Sequence, residues 1–239
     1  MNHLPDVYYT GLSFNEDEVK GKIAVVIDVL RAGSTIITAL ENGAKGIRAV
    51  EDMAEASQIA QHLDPAGFLL CGERSGKKIE GYHLGNSPFE YQTDKIKKKT
   101  LIFNTTNGTT ALSRASVASE VIVGAFLNAS AICDYIKSQN KPVVIICSGY
   151  KNRMSFEDLL CAGLFIHRLC DGNLPDEATD GARIAFALFE KFGQNVEVSI
   201  AGSNHAQRLR DIGFEKDIAY CASIDTTTKI PKMDEGIIS

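Results

Sequence analysis

Aliphatic runs recur along this chain at regular intervals, near residues 23–29, 46–50, 68–71, 100–103, 120–124 and 142–147, with the length and β-branched content of strands. Between them, near 33–43, 52–63, 107–114, 128–139 and 155–170, apolar residues return every three or four positions, as on the inward face of a helix. This alternation predicts a three-layer α/β/α architecture: a mostly parallel sheet with helices on both faces. From Leu174 the pattern turns helix-rich, with PDEATDGARIAFALFEKFG and VSIAGSNHAQRLRDIG reading as helices punctuated by Pro175 and Gly213. Residues 217–225 read as a late strand and the closing KIPKMDEGIIS as a tail or lid edge. No low-complexity linker divides the chain, so residues 1–239 are expected to form one domain, with any internal boundary near 140–175. The repeated strand, polar loop and helix suggest internal pseudo-symmetry.

Three of the apolar runs end in polar loops that open into helices: KIAVVIDVLRAGSTIITAL from Lys22, KTLIFNTTNGTTAL from Lys99 and PVVIICSGYKNRMSFEDLL from Pro142. Parallel strands put their carboxyl ends on one edge, where helix N-termini with free N–H groups favour anions. Asp28 follows IAVVI, at a strand end where an ionised carboxylate reaches solvent, metal or substrate; the alternatives are a helix cap or a partner for Arg31. Arg31 is suited to clamp a phosphate or sulfonate bidentately, with Ser34 and Thr35 supplying hydroxyls. A long polar loop from Cys71 to Pro88 carries Glu73 and Arg74 at its start, then Asn86 and Ser87, where Ser87 can cap a short helix begun by Pro88. Thr105, Thr106, Asn107 and Gly108 offer hydroxyls, an amide and a glycine at another helix start, and Ser148 opens the third loop. Asp158, beside Glu157, is a candidate magnesium ligand or the first turn of a helix closed by a capping box from Ser155. Asp176, Asp180 and Asp225 read as turn or helix-start residues, and His83 and His205 have no partner at metal-binding spacing.

Composition narrows the classes. At 44% hydrophobic and 23% charged residues the chain is ordinary globular material, and no apolar stretch approaches the roughly 20 residues that cross a bilayer. Its start lacks the features of an export signal, so the cytoplasm is the expected location. A net charge of −5 gives no general attraction for nucleic acid, and Lys95 with Lys97–Lys99 reads as a solvated turn. Six cysteines without CxxC pairs argue for buried, reduced thiols. Cys147 and Arg153, with five residues between them, have the spacing of a metal-free cysteine phosphatase, although Ile146 stands where that motif has histidine.

The strings DVLRAGSTIITALENGA, GERSGKKIEGYHLGNSPFEY, TTNGTTAL and SFEDLLCAG, in this order, resemble the 2-phosphosulfolactate phosphatase family across nearly the whole chain, including the run from LPDEATDGA to RLRDIGFEKDIAYCASID. The resemblance implies a magnesium-dependent acid phosphatase that converts (2R)-phospho-3-sulfolactate to sulfolactate and phosphate, a step in coenzyme M synthesis. It matches Asp28 and Arg31 to a DxxRA motif, Glu73 and Arg74 to GER, Gly85-Asn86-Ser87-Pro88 to GNSP, Thr105 to Gly108 to TTNG, and Glu157-Asp158 to an ED pair. Gly33-Ser34-Thr35 departs mildly from the Ala-Thr-Thr of many members.

The expected chemistry has Mg2+ held by carboxylates from Asp28, Glu73 and Asp158, with Arg31 or Arg74 on phosphate or sulfonate oxygens. Attack by Asp28, through an aspartyl-phosphate, and attack by water both stay open; Leu30 stands where haloacid dehalogenases have a second aspartate. The competing readings are the Cys147–Arg153 phosphatase and a binding module that holds a small phosphorylated anion without turnover. A homodimer is the guess for assembly.

Overall fold

The computed structural model describes residues 5–106 and 108–239. Its strands are β1 (Asp6–Tyr8), β2 (Ile23–Ile27), β3 (Gly46–Val50), β4 (Phe68–Arg74), β5 (Lys77–Lys78), β6 (Thr100–Asn104), β7 (Glu120–Gly124), β8 (Val143–Cys147), β9 (Lys232–Asp234) and β10 (Ile237–Ile238). The α-helices are α1 (Ala32–Glu41), α2 (Met53–Gln61), α3 (Thr93–Ile96), α4 (Gly108–Ala115), α5 (Ala129–Ser138), α6 (Phe156–Leu169), α7 (Asp180–Phe192), α8 (Val196–Ala201), α9 (Asn204–Asp211) and α10 (Glu215–Cys221). The six aliphatic runs all became strands, because β-branched side chains pack well on a pleated surface buried on both faces.

The strands form one mixed, mostly parallel sheet in the order β1-β8-β2-β7-β9-β10-β3-β6-β4-β5. It contains two parallel blocks, β1-β8-β2-β7 and β3-β6-β4, joined by the β9–β10 hairpin. The three pairings that join them, β7 to β9, β9 to β10 and β10 to β3, are all antiparallel, so the blocks run in opposite senses. The strands therefore do not run to one common carboxyl edge, as the sequence expectation had it, but the loops after β2, β4, β6 and β8 still converge on one site, as it also expected. The order is palindromic, since β2-α1-β3-α2-β4 and β6-α4-β7-α5-β8 exchange places about the hairpin. Register matches too: Ile27 pairs with Cys147 in one block and Asn104 with Gly72 in the other. Helices α1 and α4 therefore cross between blocks in opposite directions and begin side by side; a Cβ added to Gly108 would lie 2.9 Å from that of Ala32.

Alternate residues of each strand face different layers. Ala24 and Val26 of β2 join Leu101 and Phe103 of β6 in a core with α1 and α4. Ile23, Val25 and Ile27 face a second core built from α5, α6, α7 and the C-terminal helices. Ile102 faces a smaller third core under α2. Each fully buried Ile or Val contributes about 1.5–3 kcal/mol relative to exposure. Among the described residues no helix is long and apolar enough to cross a membrane.

Three sequence expectations are corrected. Residues 215–221 are helical rather than a strand, because Ile218, Cys221 and Ala222 have helical spacing and all three are buried. The closing segment is the β9–β10 hairpin, turned by Glu235 and Gly236, which both have positive φ. The loop from Cys71 is shorter than expected, because β4 runs on to Arg74 and turns at Ser75-Gly76 into β5.

Helices α6 and α7 pack closely at Gly163, where an added Cβ would lie 2.2 Å from the Ala185 carbonyl oxygen. Gly163→Ala should lower stability by about 1–3 kcal/mol in urea denaturation, despite alanine's better helix propensity. Unchanged stability would mean the two helices can separate freely.

Candidate active site

A cavity of about 480 Å3 opens where β2, β4 and β6 end, lined by Asp28, Arg31, Glu73, Arg74, Asn86, Thr105 and Thr106 among others. Seven of the residues singled out in the sequence are thus brought together. Tyr150, Lys151, His205 and Arg208 complete the wall from the third loop and from α9.

Asp28 sits one residue beyond β2 and is buried. Its Oδ1 accepts the Ala32 N–H at 3.1 Å, so it serves the first N–H of α1, although the N-cap residue of that helix is Arg31 and not, as one sequence alternative had it, Asp28. Its Oδ2 points at the start of α4, where a Cβ on Gly108 would come within 2.8 Å, a close approach that requires glycine. Burial pushes the Asp28 carboxyl well above its ordinary range, helped by the charges of Asp158, Glu73 and Glu157 and opposed by the Ala32 N–H.

Asp158 is buried too, and it ties two loops: Oδ1 accepts the Val29 N–H and Oδ2 the Gly149 N–H, both at 2.9 Å. Burial, then Glu157, pushes its carboxyl up to about 7 against these two donors. The expected Ser155 cap on α6 is absent, since that side chain makes no capping bond. Glu73 is similarly engaged: Oε1 accepts from the N–H and hydroxyl of Thr106 at 2.8 Å, and Oε2 from the Gly76 N–H at 2.7 Å. Among the described residues, no three Asp, Glu, His or Cys side chains are arranged to hold a metal ion by themselves.

Arg31 lines the cavity, but its partner is Asp217, not Asp28. Nη1 donates to Asp217 Oδ2 at 2.7 Å, Nη2 to the Gly76 carbonyl at 2.7 Å, and the guanidinium lies 4.2 Å from the Phe214 ring centroid. Ser87 does not cap the short helical turn at Pro88; its hydroxyl donates to Asp217 Oδ1 at 2.7 Å. Ser34 donates to the Val29 carbonyl and Thr35 to that of Asn86, both at 2.9 Å, so these hydroxyls brace the walls from behind. Thr105 accepts from the Thr109 N–H at the start of α4, while Asn86 Oδ1 and Ser148 Oγ are buried without a protein partner among the described residues. Asn107 lies outside the described residues. Asp225 is an anchor elsewhere, paired with Arg168 at 2.7 Å.

The Cys147–Arg153 pair is not a thiolate site. Cys147 is fully buried at the end of β8, and burial, with Asp158 and Glu157 nearby, pushes its thiol well above the ordinary range, opposite to what a nucleophile needs. Tyr150, Lys151 and Arg208 have no role in the sequence reading, and two further site residues are misread by it. Asp217 was assigned to a strand, and His205 was set aside for want of a sequence neighbour, whereas its partner Glu157 is 48 positions away.

A family model described as 2-phosphosulpholactate phosphatase matches residues 9–236, which include every residue lining the cavity. Similar proteins carry the name probable 2-phosphosulfolactate phosphatase. One from Caldanaerobacter subterraneus subsp. tengcongensis is 42% identical over 232 residues, 97% of this chain and 95% of that protein. One from Thermotoga maritima is 41% identical over 219 residues, 92% of each chain, and one from Clostridium beijerinckii 35% identical over 234 residues, 98% of each.

Removing the Asp217 carboxylate strands a buried guanidinium, so Asp217→Ala should cost about 3–5 kcal/mol in chemical denaturation. Ser87→Ala, which deletes one hydroxyl donor, should cost about 1.5–3 kcal/mol. An Asp217→Ala loss no larger than that of Ser87→Ala would show the ion pair to be dispensable. The raised Asp158 carboxyl means that the folded chain holds its proton more tightly than the unfolded chain. The stability this gives is complete below the ordinary carboxylate range and is lost as pH rises through about 7. Urea midpoints in cation-free buffer should therefore drop between about pH 5 and pH 8; a midpoint that climbs over that interval would contradict the burial argument.

Proposed function

The chain belongs to the 2-phosphosulfolactate phosphatase family and is a phosphoric monoester hydrolase, and from that premise we propose that it hydrolyses 2-phospho-3-sulfolactate to sulfolactate and inorganic phosphate with the help of Mg2+. The observation that carries the reading is the polarity of the cavity. Buried carboxylates of Asp28 and Glu73 line it together with the exposed cations Arg74, Lys151 and Arg208. Among the described residues these three cations have no carboxylate partner within ion-pair distance. A substrate with phosphate, sulfonate and carboxylate groups suits such a rim, because guanidinium and ammonium groups bind oxyanions.

The donor set fits a hard dication. Asp28 Oδ2 has no N–H partner among the described residues, whereas Glu73 and Asp158 have both oxygens engaged. Asp28 would hold Mg2+, an ion that keeps several waters and needs only one or two protein carboxylates beside substrate oxygens. Bound there, it would neutralise phosphate charge and polarise the phosphoryl oxygens. Around it, the Ala32 N–H fixes the Asp28 rotamer, Glu73 holds the Thr106 loop and the Gly76 turn, and Arg74 is directed by its bond to the Glu73 carbonyl at 3.0 Å. Asn86, with its free buried amide oxygen, supplies an acceptor in the wall.

The test is phosphate release from racemic 2-phospho-3-sulfolactate and from phospholactate, each with Mg2+ or with EDTA. Wild type should act with Mg2+ only and prefer the sulfonate, Asp28→Asn should lose about 10²-fold or more, and Cys147→Ser should stay within about threefold of wild type. EDTA-resistant turnover would remove the metal from the scheme, and binding without release would make the protein a phospho-ligand carrier.

A further inference from the structure

Phosphate ester hydrolysis expels an alkoxide, and the 2-oxygen of a hydroxy acid is a poor leaving group unless it receives a proton as the bond breaks. The cavity wall holds few groups able to give one. Guanidinium and ammonium groups such as those of Arg31, Arg74, Arg208 and Lys151 are poor proton donors as a class. Glu73 is committed as an acceptor to Thr106 and Gly76, Asp28 is given to the metal in the reading above, and the Tyr150 ring is stacked on His205. His205 is the one histidine among the described residues lining the cavity.

Its setting is that of an oriented imidazole. Nδ1 lies 2.9 Å from Oε1 of Glu157, and the ring stacks on Tyr150 with centroids 4.2 Å apart and planes 18° off parallel. Glu157 is 1% exposed, and its Oε2 has no partner among the described residues. A carboxylate is buried this deeply only with compensation, and the imidazole is the single side-chain partner it has among the described residues. With Nδ1 donating to Glu157, Nε2 is the nitrogen left to exchange a proton with a ligand. The ionisable groups around the ring are Glu157 from α6, Tyr150 and Lys151 from the loop after β8, and Arg208 from its own helix, with Arg31, Arg74, Asp28 and Glu73 elsewhere in the cavity wall.

We infer that His205 is the general acid for the leaving group of the reaction proposed above, held in place by Glu157 and Tyr150 as positioning residues. This rests on the phosphatase reading. A water oxygen bonds to phosphorus as the bond from phosphorus to the ester oxygen breaks. The electron pair of the broken bond stays on that oxygen, which takes the proton from Nε2 and leaves as the alcohol. The attacking water gives its proton to solvent, and neutral His205 regains one from solvent before the next turnover.

Kinetics on two esters separate the possibilities. For 2-phospho-3-sulfolactate, His205→Gln should lower kcat by about 10²–10³-fold, with KM within about threefold, and abolish the basic limb of the pH–kcat profile. For p-nitrophenyl phosphate, whose leaving group departs as a stable anion, the same variant should stay within about threefold of wild type. Glu157→Gln should lower kcat on the sulfolactate ester by about tenfold with the same selectivity between esters. Thermal melts of each variant establish that it is folded. Equal losses on both esters, a basic limb that survives in His205→Gln, or a raised KM with intact kcat would overturn the assignment. If the aryl ester is not a substrate of wild type, the basic limb and the split between kcat and KM decide alone. Failure of wild type to release phosphate from 2-phospho-3-sulfolactate would instead sink the proposed function.

Discussion

One buried carboxylate holds four separate pieces of chain in register. Asp217, on the second-to-last turn of the helical C-terminal portion, binds the Arg31 guanidinium through one oxygen and the Ser87 hydroxyl through the other. Arg31 in turn clasps the Gly76 carbonyl and lies on Phe214. Taking both charges out of water is costly, so such a pair adds little net stability against an apolar substitute. What it imposes is geometry: the β2–α1 loop, the β4–β5 turn and the Asn86-Ser87 segment can meet only with the C-terminal helix docked. The arginine read in the sequence as a phosphate clamp is here the keystone of the wall.

The pseudo-symmetric scaffold makes equivalent positions that are filled differently. Asp28 follows β2 as Thr105 follows β6, and α1 and α4 start against each other. One repeat thus supplies a carboxylate where the other supplies a hydroxyl. Asp158, bound to the N–H groups of Val29 and Gly149, fixes the loop after β2 to the loop after β8, so the acidic floor is stiff before any ligand arrives. Carboxyl groups lie at depth and cations at the rim, an arrangement that draws anions to the mouth and offers oxygen ligands to a cation at the bottom.

Six strands and five helices were legible because their signal is local: β-branched runs for β2, β3, β4, β6, β7 and β8 and apolar residues at helical spacing between them. So were Asp28, Glu73 and Thr106, which stand just past or at the ends of such runs. The opposed sense of the two blocks was not legible, since it depends on pairings made by a two-residue strand, Ile237–Ile238. Asp217 and His205 were missed for the same reason. Their partners lie 186, 130 and 48 positions away, and no periodicity records a contact across such separations. The helix at 215–221 did leave a trace, in the spacing of Ile218, Cys221 and Ala222, which a strand reading of an apolar run overrode.

Residues 232–238 fill the centre of the sheet although they follow every other strand in chain order. Until they dock, β7 and β3 both present open edges, each able to pair with a neighbouring polypeptide. The two blocks become one sheet only when this hairpin is in place. A chain cleaved just ahead of it keeps both blocks but lacks the piece that joins them, so the loss of one short hairpin exposes two sheet edges at once.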